Sequence, residues 1–187
     1  MIGSQALQAS QYFPNGIHLG HGTILPPGGK VVFVRSTGRQ DGDPPDLLGM
    51  LYPTVATAAA EMRAGMCDNI IALPGHVEIL SGTDAWSSFA TGTRLLCQGN
   101  GTLRPVFSFG AGTTDQFKMN DANVIVANAV FTNSASAVDT TLGIDVSAAG
   151  VGFYGCKFVP SDYGAVAQKV TTLLRLSSGA NDFRFIG

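Results

Sequence analysis

The feature that most constrains this chain is a weak internal repeat. Sliding NVIVANAVF (Asn123 to Phe131) forward by about 27 positions lays it on GVGFYGCKF (Gly150 to Phe158), and the same shift lays Phe117 and Met119 on Ile144 and Val146. A further step of about 30 lays Ile144, Val146 and Phe153 near Leu174, Leu176 and Phe183. Within the matches apolar residues alternate, as in Leu142, Ile144 and Val146 or Phe183 and Phe185, so single side chains point inward between outward polar ones. Strands this short cannot close a core alone. Stacked as coils they bury continuous inward rows, and a spacing in the twenties to low thirties suits a three-faced parallel coil. The competing arrangement is an antiparallel sandwich with irregular spacing, which strand pairs joined by Asn-Gly or Asp-Gly would favour, and after residue 29 Asn100-Gly101 and Asp41-Gly42 are the only such pairs.

The N-terminal part has a different character. Residues 1–29 carry Gly16, Gly20, Gly22, Pro26, Pro27, Gly28 and Gly29 with almost no hydrophobic periodicity, which predicts an extended arm that needs a partner to be ordered. Tyr12 and Phe13, with Ile17, Leu19, Ile24 and Leu25, are its candidate partner-binding residues, because an arm with little structure of its own is held by a few buried apolar anchors. Residues 30–51 read as a strand, KVVFVR, followed by a turn-rich connector, RQDGDPP. From residue 52 onward Val55, Ala58, Ala59, Met62 and Met66 fall near helical spacing behind Pro53 and a Thr54 cap, predicting one short amphipathic helix. Asp68 then leads into the strand NIIAL, closed by Pro74-Gly75.

Composition narrows the function. Charged residues make up 13% of the chain against a usual value of about 25%, so surface that is normally charged must be neutral or covered, and packing against other chains follows. The net charge of -2 and scattered Lys and Arg provide no basic stripe, which argues against nucleic-acid binding. Cys67, Cys97 and Cys156 are widely spaced and odd in number, describing buried thiols rather than a disulfide framework or a zinc site. The start of the chain lacks the basic-then-apolar pattern of a signal peptide, and no stretch approaches ~18 apolar residues, so a soluble protein made in a cytoplasm is expected.

At this point the residues resemble a known family. Tyr52 to Leu80 (YPTVATAAAEMRAGMCDNIIALPGHVEIL) is similar to the entry module of pectate-lyase-like right-handed β-helix proteins, in which a short helix caps the open end of the coil and a Pro-Gly-His turn closes the first core strand. More narrowly, KVVFVRSTG, an Asp/Gly/Pro stretch and then YPT…DNIIALPGH resembles β-helix structural proteins of tailed bacteriophages. The resemblance implies an all-β fold: a short right-handed parallel β-helix with an N-terminal capping helix and an extended N-terminal arm. It further implies a capsid decoration or cement protein on the virion surface, assembled in the host cytoplasm as a homotrimer. The arm would grip the major capsid protein or another virion protein. Asn181 to Gly187 (NDFRFIG) departs from a capped array, since it reads as a strand in mid-coil.

Many proteins of that fold cut polysaccharides, which requires a carboxylate pair, or calcium-binding carboxylates with a base. Asp115, Asp121, Asp139 and Asp145 are the acids of the coil region, with Asp145 on an outward position, and turn-capping or solvated roles account for them. Gly20-His21-Gly22 matches a polygalacturonase-like motif but lies in the arm. His18 and His21 lack the further ligands that zinc requires, so neither a metal, a cofactor nor a catalytic residue is assigned. His76 is expected to donate a hydrogen bond that ends the first strand. The recurring Phe residues read as an internal stack, and Trp86 in DAWSSF as a surface or subunit contact. The alternative functions are the head-binding or entry portion of a tailspike-type depolymerase and a carbohydrate-binding module.

Overall fold

The computed structural model describes residues 17–19, 23–25, 29–38, 50–80, 86, 89–110, 117–133, 140–159 and 170–187. Among the described residues the fold is all-β with parallel sheets and one short α-helix. Strands β1 (Ile17–Leu19) and β2 (Thr23–Leu25) form an antiparallel ribbon, with Ile17 opposite Leu25 and Leu19 opposite Thr23. The arm is therefore not extended throughout, and the sequence between its strands, Gly20-His21-Gly22, is of the kind that reverses a chain in few residues.

The remaining strands are β3 (Val31–Val34), β4 (Leu51–Tyr52), β5 (Asn69–Ala72), β6 (Val77–Leu80), β7 (Arg94–Cys97) and β8 (Val106–Phe109). After them come β9 (Phe117–Met119), β10 (Ile125–Ala127), β11 (Val130–Asn133), β12 (Thr140–Val146), β13 (Gly152–Tyr154), β14 (Lys157–Val159), β15 (Val170–Leu176) and β16 (Arg184–Ile186). They build a seven-stranded sheet in the order β16-β13-β10-β7-β5-β3-β4, a four-stranded sheet β14-β11-β8-β6 and a three-stranded sheet β15-β12-β9. From β7 onward the chain visits the three sheets in strict rotation, and every pairing within them is parallel.

The registers carry the repeat. Val126 pairs with Phe153, Phe131 with Phe158 and Phe117 with Ile144, each 27 residues on, while Ile144 pairs with Leu174 at 30. Phe153 pairs with Phe185 rather than Phe183, because the last step is longer. One core lies between the sheets, with Val32, Ile70, Leu95, Val126 and Phe153 from the first, Leu80, Phe107, Phe109 and Phe131 from the second, and Phe117, Met119, Ile144 and Val146 from the third. The Phe stack is internal: rings of Phe117 and Phe131 lie 5.5 Å apart, and Phe131 and Phe158 stack at 5.2 Å.

One left-handed residue stands two positions ahead of each of five strands of the seven-stranded sheet, β5, β7, β10, β13 and β16. Cys67, Gly92, Asn123, Gly150 and Asp182 form this column, with φ of 54, 83, 58, 70 and 56°. Asn and Asp tolerate that region, and their recurrence explains why turn residues punctuate the repeat. Amide hydrogen bonds link successive turns: Gly92 donates to Ala122, Asn123 to Ala149 and Gly150 to Asn181, so these turn amides are paired as strand amides are.

The helix α1 (Val55–Ala59) packs Val55, Ala58 and Ala59 into the core beside β3, β4 and β5. Thr54 is its N-cap, accepting from the Thr57 N–H at 3.2 Å. It is shorter than the spacing predicts. Glu61 and Met62 donate to carbonyls three residues back, tightening the chain out of the α form, so Met62 stays buried but Met66 emerges at 48% exposure.

Candidate partner-binding surfaces

Of the arm residues, Ile17 and Leu19 lie on β1 and Ile24 and Leu25 on β2, whereas Tyr12 and Phe13 lie outside the described residues. His18 is paired with Ile24 in the same ribbon, and His21 lies outside the described residues.

Trp86 is not at a surface. It is 2% exposed, with its ring 4.1 Å from Phe117 and 4.6 Å from Phe107, both edge-on. A polar neighbourhood in sequence gave no sign of this, and the reason lies in a buried acceptor: the indole Nε1–H donates to Glu78 Oε1 at 3.3 Å. Glu78 is the centre of a polar cluster beside the start of α1. Its Oε2 accepts the Val55 N–H at 2.8 Å, at the start of α1, and lies 3.1 Å from His76 Nε2. One carboxylate thereby joins the helix, the Pro74-Gly75 turn and the segment holding Trp86, and this density of charge-assisted bonds is what makes a buried carboxylate tolerable. His76 also donates its backbone N–H to Leu73, closing the turn at the strand end. Its Nδ1 is buried without a partner, so the ring serves the cluster through Nε2.

The other buried acids are structural in the same sense. Burial pushes the Asp68 carboxyl up, but hydrogen bonds from the Arg63 side chain and from the Lys30 and Arg63 backbone, with the Arg63 charge, outweigh it and hold it below the ordinary range. Asp145 points away from the core, yet it is covered: Arg175 forks onto it at 2.6 and 3.1 Å and Ser177 donates at 2.8 Å. The Arg175 hydrogen bonds hold its carboxyl low against burial, helped by Ser177 and by the charges of Arg175 and Lys118. Asp145 is thus neither a turn cap nor a solvated acid. Asp121 differs, its carboxyl being raised by burial, while Asp115 and Asp139 lie outside the described residues. Among the described residues no three His, Cys, Asp or Glu side chains gather as metal ligands. Burial pushes Cys97 well up and Cys156 to about 11, so these thiols are unreactive.

The outward faces of the sheets differ in chemistry. On the three-stranded sheet the register lines up Lys118, Asp145 and Arg175, a charged row in which one acid lies between two bases. On the four-stranded sheet it lines up Val77, Val106 and Val130 with Lys157, and beside them Ile79, Ser108, Thr132 and Val159. Val77, Ile79 and the nearby Leu103 are exposed, Ile79 by 63%, so this face is mostly β-branched and carries one lysine as its only charge among these residues. The seven-stranded sheet carries Leu51, Phe33, Ile71, Leu96, Ala127, Tyr154 and Ile186 in one outward row, of which Ile71 and Leu96 are buried with Leu73 in a second apolar cluster.

The Asp145–Arg175 pair was not read from the sequence, where Asp145 is expected to cap a turn or face solvent, although the 30-residue shift that pairs Ile144 with Leu174 also stacks the two. Nor was Glu78, because nothing in VEIL distinguishes a solvated glutamate from one that folds inward. Comparison of the chain with protein-family models, with curated proteins and with solved structures finds no match.

Proposed function

We propose that the three sheets are the walls of a short right-handed parallel β-helix and that the protein is a bacteriophage virion component, a capsid decoration or cement protein. The hand follows from the strong preference of parallel crossovers for right-handed connections. The observation that carries the functional reading is the outward face of the four-stranded sheet, which has Lys157 as its one charge and is exposed at Val77 and Ile79, in a chain with 13% charged residues. Such a face favours burial between protein chains over solvation, and patches of this kind mark interaction sites. In this reading copies associate as a homotrimer, the arm of residues 1–29 binds the major capsid protein or another virion protein, and stabilisation comes by mass action. Localisation at the capsid surface follows from the same reading.

The test is deletion of residues 1–29. The truncated protein is expected to fold but to be lost from particles, measured as copies per purified virion. Retained incorporation would sink the arm's role. Copies confined to a tail would transfer support to the entry portion of a tailspike-type depolymerase.

A further inference from the structure

Asn100 stands between two glycines, Gly99 and Gly101, in the turn that joins β7 to β8. Its own backbone is extended, with φ of -129° and ψ of 157°, while Gly99 and Gly101 have positive φ of 111 and 56°. The Asn100 side chain is exposed and makes no hydrogen bond to the turn, and the Gly101 amide makes none among the described residues. We infer that Asn100-Gly101 is a self-modification site, at which the chain converts its own asparagine into aspartate and isoaspartate.

The reaction needs only the chain and water. The Gly101 amide nitrogen gives its proton to solvent base and attacks Asn100 Cγ. A new bond from that nitrogen to Cγ closes a cyclic succinimide, while the bond from Cγ to Nδ2 breaks and ammonia leaves, taking the proton back. Water then reopens the ring: addition at Cγ gives aspartate, and addition at the main-chain carbonyl gives isoaspartate, with the chain rerouted through Cβ. The corner favours this step because glycine has no Cβ to obstruct the attack, and a Cβ built on Gly101 would meet nothing within 4 Å, so the surroundings leave room as well. The other exposed asparagines among the described residues lack that opening. Asn120 and Asn181 precede Asp121 and Asp182, and Asn123 precedes the β-branched Val124. Buried Asn69 and Asn128 are held through Nδ2, the first by the Cys67 carbonyl at 3.0 Å and the second by those of Cys97 and Gly99 at 2.9 and 3.0 Å. Against the step stands the hydrogen bond from the Leu103 N–H to the Asn100 carbonyl at 3.1 Å, which rotation of the peptide plane between Asn100 and Gly101 has to release.

Both products add a carboxylate to a chain of net charge -2, in the turn that carries the exposed Leu103. The Leu103 carbonyl accepts the Gly75 amide at 2.8 Å, which holds this turn close to Val77 and the outward face of the four-stranded sheet. Isoaspartate also lengthens the main chain by one atom between Gly99 and Leu103, whose carbonyls are both tied to neighbouring segments. The consequence for assembly rests on the reading of that face as buried between protein chains: a carboxylate at its border is costly to desolvate without a partner and weakens the association.

The experiment is incubation of the native 187-residue chain at mildly alkaline pH, with peptide mapping and isoaspartyl methyltransferase labelling at intervals and the guanidinium-unfolded chain in parallel. In the native chain residue 100 is expected to gain aspartate and isoaspartate ahead of Asn120, Asn123 and Asn181, and Asn100→Gln to remove the signal. Modification of residue 100 only in the unfolded chain, or no faster there than at those three asparagines, overturns the inference. The Asn100→Asp variant separates the chemistry from its consequence, since it supplies the charge without the extra main-chain atom. A lower mass than the parent in sedimentation equilibrium supports the effect on association. An equal mass overturns that effect and leaves the modification itself standing on the peptide maps.

Discussion

At the scale of the residue, this chain uses its few charges as internal ties. Lys30 reaches Glu61 at 2.8 Å and Arg63 reaches Asp68 at 2.8 Å, ties that the backbone ladder does not make, while Arg175 reaches Asp145 at 2.6 Å across the β12–β15 ladder and reinforces it. Asp68 and Asp145 both have folded carboxyls below their ordinary range, for the hydrogen-bonding reasons given above. A depressed carboxyl contributes stability that is present above the unfolded value of about 3.9 and is lost as pH falls through the folded value. Asp121 has the opposite sign, its raised carboxyl favouring the folded state more on the acid side. We therefore expect the denaturant midpoint to fall as pH drops below about 4, and the Asp68→Asn variant to flatten that slope. A variant as steep as the parent in urea titrations at pH 5 and pH 3 would remove Asp68 from this account. Sequence spacing exposed none of these ties, because an ion pair between segments depends on which residues the fold stacks, and the acid and base need no recognisable interval.

At the scale of the element, the corners decide the fold as much as the strands. The left-handed column at Cys67, Gly92, Asn123, Gly150 and Asp182 keeps successive coils in step. Gly150 combines φ of 70° with close approach, since a Cβ there would run into Asn123 Oδ1 directly below. Gly150→Ala is expected to cost about 1–3 kcal/mol, the left-handed penalty plus displacement of the Asn123 amide, seen as a lowered melting temperature. An unchanged melting temperature would mean that the corner relaxes freely. The opposite corner is tied by side chains: Asn128, at φ of 59°, donates to the Cys97 and Gly99 carbonyls, and the Arg104 guanidinium donates to those of Asn128, Ala129 and Gly155. Elements announced by local chemistry were legible, including the Thr54 cap, the Pro74-Gly75 turn and the KVVFVR and NIIAL strands. The length of α1 was not, because Met66 sits at helical spacing by coincidence and the chain has already left the helix after Ala59.

At the scale of the whole molecule, the arrangement of acids bears on the choice between a structural protein and a depolymerase. Asp121→Asn with Asp145→Asn is expected to leave particle assembly unchanged, quantified by copies per virion. If the parent cleaves a capsular or acidic glycan and the double variant does not, the structural reading fails in favour of the enzyme. The inward rows were determined by the sequence itself, because alternation and a recurring interval are properties of order along a chain: Phe117, Ile144 and Leu174 fall on one row wherever the corners lie. What only the tertiary structure decided is how the ends and corners are filled. The interval shifts from 27 to 32 residues where connections lengthen, so Phe153 meets Phe185 and not Phe183. Trp86 and Glu78 turn inward because the capped end leaves a space bounded by Phe107, Phe117 and the start of α1, and a space has no signature in the residues that come to occupy it.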